Sequence, residues 1–520
     1  MAYNYIGTNS VGAGIRISPT SDDDYLIDQN VTIGSTDNNA IFGVGVTNLS
    51  FNILGTVFSP FDTLNFFQNT GTSLFFDITI GETGSLIAEG DAIDIQGNAS
   101  TNEGYTRVTN NGWIKAGDDG FYVAYQAEFH LRNTGVIETT GISTGSWAVF
   151  AQTNIATIAN SGTIAGSDLA TAIYTYSAEL GGVTTISNTG EIISGLSGYA
   201  IVSSRHNDTV TNDGYIHGRV SLGLGESASN AFGDTLKNKG TVIGDVSTGY
   251  GDDLIENSGS LSGQVDLGDG DDQFLGETGT VDGEVRGQGG DDILKTGLGD
   301  DLINGGEGRD KMYGGAGNDT ATYENSTASV RVNLTTHRGR GGEARGDWLF
   351  DIENLIGSHL DDVLIGDVLT NILEGMDGAD TLNGEGGADF LFGGNGDDTL
   401  IGGDGDDILN GGLDRDILWG GDGVDIFEFL DVAESGIGSN RDVIKDFEQG
   451  VDLIDLAAMG ATSFSAGGFT NTAGEVTYKL IGGGSKTVIE YDHDGDGAAD
   501  FQILMTNGGF TMTADDFVLG

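Results

Sequence analysis

The chain has 520 residues, with 90 glycines, two prolines and no cysteine, and its 79 Asp+Glu against 21 Lys+Arg give a formal charge of −58 at pH 7. That balance excludes nucleic acid as a partner, because phosphate recognition needs a basic surface, and the missing cysteine excludes disulfides, thiolate metal sites and cysteine nucleophiles. The acids are periodic rather than blocked, and 37% of residues are hydrophobic, so the chain reads as folded, with its self-repulsion neutralised by bound cations.

Residues 1–50, beginning MAYNYIGTNSVGAGIRISPTSDDDYLI, lack the basic and apolar regions of a secretory signal peptide. Taken alone, this end reads as cytoplasmic, and the segment is assigned to a cap or an assembly contact. No stretch approaches the roughly 18 apolar residues of a membrane span. Residues 51–286 then carry a loose repeat, including NNGWIKA, NTGVIET, NSGTIAG, NTGEIIS, NDGYIHG and NKGTVIG. Its glycines, Gly84, Gly112, Gly135, Gly162, Gly190, Gly214, Gly240, Gly259 and Gly279, are spaced by 19 to 28 residues. Several units hold two further apolar segments, such as AIYTYS and VTTISNTG. Three short strands per coil predict a parallel β-helix, right-handed by the default of parallel crossovers. The Asn-x-Gly turns are expected to stack their asparagines in a ladder from coil to coil.

Two stretches of the β-helix invite a catalytic reading. Arg205, His206, Asp208, Tyr215, His217 and Arg219 lie about one coil apart. A base beside a cation is what proton abstraction next to a uronate carboxylate requires, although surface residues on neighbouring coils explain the set equally well. GISTG at 141–145 has the G-x-S-x-G spacing of lipases but falls in a β-helix turn rather than between a strand and a helix.

A strict nine-residue period follows. TGYGDDLIE with Asp253 and LGDGDDQFL with Asp272 are single copies. The block 287–322 places Asp292, Asp301, Asp310 and Asp319 at the sixth position of each unit. After a connector of strands at 323–356, the block 357–428 places Asp362, Asn371, Asp380, Asp389, Asp398, Asp407, Asp416 and Asp425 there, with Leu364 through Leu418 and Phe427 at the eighth. Glycine tolerates positive φ, so turn carbonyls can point inward. Carbonyl and carboxylate oxygens together are the hard ligand set that suits Ca²⁺. Units such as GGNGDDTLI and GGDGDDILN resemble the GGxGxDxUx repeat of the RTX (repeats-in-toxin) family, which implies a Ca²⁺-binding parallel β-roll. Leu360, Leu369 and Asp414 replace the fourth glycine and Asn371 replaces the aspartate, so those turns are expected to bind Ca²⁺ weakly or not at all. The fold predicted is all-β: a β-helix grading without a linker into β-rolls, as one rod from about residue 50 to 322, then a C-terminal β domain.

In the connector, Arg331, Arg338, Arg340 and Arg345 cluster, and local pairing with Glu343 and Asp351 is the favoured reading over docking onto a neighbouring subunit's roll. Arg345-Gly346-Asp347 is an integrin-like triplet too short to weigh. Residues 429–520 resemble the C-terminal region of serralysin-type proteins. That resemblance implies an uncleaved C-terminal signal at Asp516-Phe517-Val518-Leu519, the type I secretion machinery as export partner, and an extracellular or cell-surface location outside a Gram-negative bacterium. This overrides the cytoplasmic reading. Asp492, Asp494, Asp496 and Asp500 in DHDGDGAAD begin like an EF-hand loop, but Ile503 stands where the closing Glu belongs. A β-helix followed by RTX units also resembles mannuronan epimerases, yet their Asp-Pro-His signature is missing. The functional expectation is a non-enzymatic, secreted, calcium-dependent structural or surface protein that associates with itself or with a cell-surface glycan. The alternative is a polysaccharide lyase or epimerase.

Overall fold

The computed structural model describes residues 4–520 except 13–16, 21–22, 69–73, 98–102, 142–144, 168, 178–180, 196–197, 225–226, 228–230 and the side chain of His206. Among the described residues there is no α-helix, only strands and three 3₁₀ turns. The chain divides into two compact units, Met1–Gln288 with Thr296–Leu298, and Gly289–Lys295 with Gly299–Gly520.

The first unit is a parallel solenoid with three strands per coil. The coil Thr171–Tyr176, Gly182–Asn188 and Glu191–Ile193 stacks on Tyr199–Ser204, His206–Asn212 and Tyr215–His217 through Ile173–Ile201, Ile186–Val210 and Ile192–Ile216. All six of those side chains are fully buried, because each coil is too narrow to enclose a core and shields its apolar residues only by stacking. Parallel stacking begins before residue 51: Asn4–Ile6 pairs with Asp24–Ile27, which pairs in turn with Leu49–Ile53. A 12-stranded parallel sheet runs from Ser10–Gly12 to Thr280–Val281. The expected asparagine ladder is present: each side-chain amide of Asn110, Asn133, Asn160, Asn188, Asn212 and Asn238 donates at 2.8 to 2.9 Å to the next, ending on Asn257. Each amide also reaches a turn carbonyl, as Asn160 does to Glu191 at 3.0 Å, so a buried polar row is satisfied along its length.

In the second unit the coil is 18 residues. Leu373 lies on Leu391, Leu409 and Phe427, and Leu364 on Leu382, Leu400 and Leu418, all fully buried. The connector is part of this stack. Trp348–Phe350 pairs with Lys311–Tyr313, Asn354–Ile356 lies between Thr320–Thr322 and Ile372–Glu374, and Arg331–Asn333 lies on Val363–Ile365 while pairing antiparallel with Arg338–Arg340. After residue 428, Asp442–Ile444 and Leu453–Asp455 continue the two parallel stacks. An antiparallel meander, Glu475–Ile481, Lys486–Asp492 and Phe501–Met505, and the strand Phe517–Val518 complete the unit.

Candidate metal centre

The sixth-position aspartates form two rows, one along each turn edge of the second unit. The backbone N–H of each donates to the Oδ1 of the residue one coil further on. One row runs Asp362, Asp380, Asp398, Asp416 and Asp442, with N–O distances of 2.6 to 2.8 Å. The other runs Asn371, Asp389, Asp407, Asp425 and Asp452, at 2.8 to 3.1 Å. Asp292 and Asp310 extend the same relation to Asp347, and Asp301 donates to Asp319, which donates to Glu353. In the first unit Asp208, Asp234, Asp253 and Asp272 are linked in the same way.

Oδ1 is therefore fixed by the chain, and Oδ2 is left over. The Oδ2 atoms of Asp253, Asp310, Asp319, Asp380, Asp389, Asp398, Asp407, Asp416, Asp425 and Asp442 are buried without a hydrogen-bond partner. A buried carboxylate oxygen with nothing to accept from is costly, so its recurrence along each row calls for a cation. The first glycine of each unit makes room for it. A Cβ added at Gly375, Gly384, Gly393 or Gly402 would fall within 3.0 Å of both the Oδ2 of its own turn and a glycine carbonyl of the next coil. Each cradle thus gathers a carboxylate and a carbonyl oxygen at one point, the donor chemistry of a Ca²⁺ site. Without a cation, burial pushes the Asp310, Asp398, Asp416 and Asp442 carboxyls up to about 8 and those of Asp380, Asp389 and Asp425 to about 7, because the low-dielectric turn disfavours the charged form. When bound, Ca²⁺ supplies the neutralising charge and joins adjacent turns.

The comparisons agree with this geometry. Residues 286–321 match the RTX calcium-binding nonapeptide repeat (4 copies). These are RTX calcium-binding repeats. Residues 349–519 match the family described as peptidase M10 serralysin C terminal, and together with the repeats this match indicates a protein secreted from a Gram-negative bacterium. Solution structures of the AlgE6R3 and AlgE6R2 subunits of the Azotobacter vinelandii mannuronan C5-epimerase are each 27% identical over 32% of this chain, covering 81% and 91% of those subunits, with TM-scores of 0.23 and 0.20. No curated protein matches the chain.

Asp362 and Asn371, in turns that lack the fourth glycine, are occupied by the chain itself. Asp362 accepts from the Val330 N–H at 2.6 Å and from the Ser358 hydroxyl and N–H. Ser358 stands at the second position of that unit and closes its cradle. Asn371 donates to the Glu353 carbonyl and accepts from the Asp367 N–H, both at 2.7 Å. Conversely, Asp347, Asp442 and Asp452 belong to the rows although no nonad marks them. Asp347 is fully buried and accepts from Tyr323 Oη at 3.1 Å, so Arg345-Gly346-Asp347 is not a displayed recognition triplet.

In the DHDGDGAAD loop, ligand atoms of Asp492, Asp494 and Asp500 lie within 4.8 Å of one another. Asp496 instead accepts from the Ala498 N–H. Asp492 and Asp500 also accept from loop N–H groups of Gly495, Gly497 and His493. The six residues weighed for catalysis divide among separate surroundings. Asp208 is buried, and burial pushes it up to about 7. Arg205 lies over the Tyr176 ring, Arg219 pairs with Asp245, and Tyr215 and His217 stack on the 12-stranded sheet. The His206 side chain and Ile142–Thr144 of GISTG lie outside the described residues.

Proposed function

We propose that this chain is a secreted structural component of a Gram-negative cell surface, in a surface layer, adhesin, filament or matrix, that folds when it meets extracellular Ca²⁺. The row of partnerless Oδ2 atoms carries the reading. In a cytosol poor in Ca²⁺ those carboxylates repel and the rolls stay unfolded, which suits passage through a type I secretion channel. Outside the cell, the free energy of Ca²⁺ binding becomes free energy of folding. The C-terminal residues fit the same order of events. Asp516 is buried and its carboxylate caps the turn at Thr513, and Phe517 is buried, so an export signal there is legible only before folding. Self-association or contact with a cell-surface glycan then follows outside the cell.

Electron microscopy of the secreted protein with and without Ca²⁺ tests the proposal. Sheets or filaments that form in Ca²⁺ and dissolve in chelator are expected. Dispersed monomers that depolymerise or epimerise a uronate polymer would replace it with the enzymatic reading, and β-structure indifferent to chelator would remove the calcium trigger.

A further inference from the structure

The strongest positive feature of this acidic chain lies in the second unit, on the small antiparallel hairpin of the connector. Arg331 and Arg340 are direct cross-strand partners, and Arg338 follows two residues away on the same face, opposite Trp348. The Arg338 guanidinium lies 3.0 Å from the centre of the Trp348 ring, which holds it in place. Arg345 follows in the next turn, and all four arginines are exposed. Like charges placed directly opposite on a sheet repel, and the expected local remedy is not found. Among the described residues none of the four forms an ion pair, and Glu343 is instead half-buried. A face of guanidinium groups left without counter-charges, in a chain with 79 acids to 21 bases, is complementary to the rest of the chain's own surface.

The acidic counterpart with matching geometry is on the second roll. Asp404 and Asp422 are in register on adjacent coils, both exposed, and neither carboxylate has a hydrogen bond or ion pair among the described residues. Adjacent strands are spaced by about 4.7–4.9 Å, close to the 4.5–5.5 Å between directly opposed cross-strand Cα atoms. Two guanidinium groups so spaced can each meet one carboxylate of such a row, as parallel charge-assisted hydrogen bonds. We propose that the Arg331/Arg338/Arg340 face docks onto the Asp404/Asp422 edge of a second copy of this chain, a head-to-edge contact that repeats rather than closes. The inference deepens the self-associating reading above and rests on it.

Charge reversal on full-length protein in Ca²⁺ tests it by analytical ultracentrifugation. R331E/R340E alone and D404K/D422K alone are each expected to raise the dissociation constant of self-association at least tenfold, while mixing the two variants restores a complex, because the intact Asp404/Asp422 edge of the first meets the intact arginine face of the second. Raising the salt from about 0.1 to 1 M, which shortens screening from about 10 to 3 Å, is expected to weaken the wild-type contact in the same sense. Circular dichroism in Ca²⁺ checks that each variant is folded. Wild-type assembly that survives both reversals overturns this contact and leaves the self-associating reading standing. A wild type that is monomeric at every concentration overturns both. Retention of monomeric wild type on vesicles of phosphate-bearing lipopolysaccharide, lost in R331E/R340E, reassigns the face to a surface anion and also overturns the second-copy contact.

Discussion

Replacing Gly393 by alanine places one methyl group in a cradle, and Gly386→Ala supplies a matched control. Neither glycine has a positive φ, so alanine fits both backbones. At Gly386 the nearest atom to an added Cβ is the Asp404 carbonyl oxygen at 3.5 Å, an ordinary contact. That variant is expected to be stabilised by about 0.4–1 kcal/mol through lost freedom of the unfolded chain. At Gly393 the methyl would fall inside 3.0 Å of both the Gly411 carbonyl and Asp398 Oδ2. Overpacking of this kind costs about 1–3 kcal/mol. Excluding one cation costs about 2.7 kcal/mol more when Ca²⁺ is a hundredfold above its dissociation constant. The difference between the two variants is therefore about 4–7 kcal/mol in Ca²⁺ and about 1–4 kcal/mol in chelator. Urea unfolding followed by Trp419 fluorescence, within the strand Ile417–Asp422, measures the first at neutral pH and the second at pH 4, where the metal-free roll is folded, and titration calorimetry counts the bound ions. If G393A binds as many ions as G386A and unfolds with the same dependence on Ca²⁺, the cradle is not the metal site.

Three further outcomes are expected. In chelator, carboxyls with folded values of about 6 to 8, such as Asp319, Asp389 and Asp398, stand above the ordinary 3.8. Their contribution to metal-free stability is full below 3.8 and is lost as pH rises through about 6 to 8; circular dichroism in chelator is expected to show β-structure at pH 4 that fades by pH 8.5, and calcium affinity that grows over the same window. Met376 and Glu385 occupy second positions with φ of +83° and +72°, a conformation that costs non-glycine residues about 1–3 kcal/mol, so M376G and E385G are each expected to raise the urea midpoint, offset in part by glycine's greater unfolded freedom. Asn160→Ala removes three ladder bonds, from Asn133 and to Asn188 and the Glu191 carbonyl, while Asn133 keeps the Gly135 and Thr163 carbonyls and Asn188 keeps the Gly190 N–H; at about 0.5–1.5 kcal/mol for each net bond lost, thermal unfolding is expected a few degrees lower.

Much of this protein is legible in the sequence because its order is local. A nine-residue period places every sixth-position carboxylate and every core leucine one turn from its neighbour, so the rows from Asp380 through Asp425 and the stacks from Leu364 through Leu418 are legible from spacing alone. The asparagine row was readable too, since Asn-x-Gly recurs once per coil. What the tertiary structure alone decided lies where coil length changes. Asp347, Asp442 and Asp452 complete the rows from 37, 26 and 27 residues beyond Asp310, Asp416 and Asp425, across irregular segments in which spacing carries no signal. Both carboxylate oxygens of Asp362 are taken by Ser358, four residues away, and by the Val330 N–H, a contact that spacing does not show. The connector arginines face one another without counter-charges, not because of their order in the chain, but because a hairpin turns Arg331 and Arg340 to the same face. Repetition encodes which groups recur, while stacking determines which of them finds a partner and which remains for a cation or for another copy of the chain.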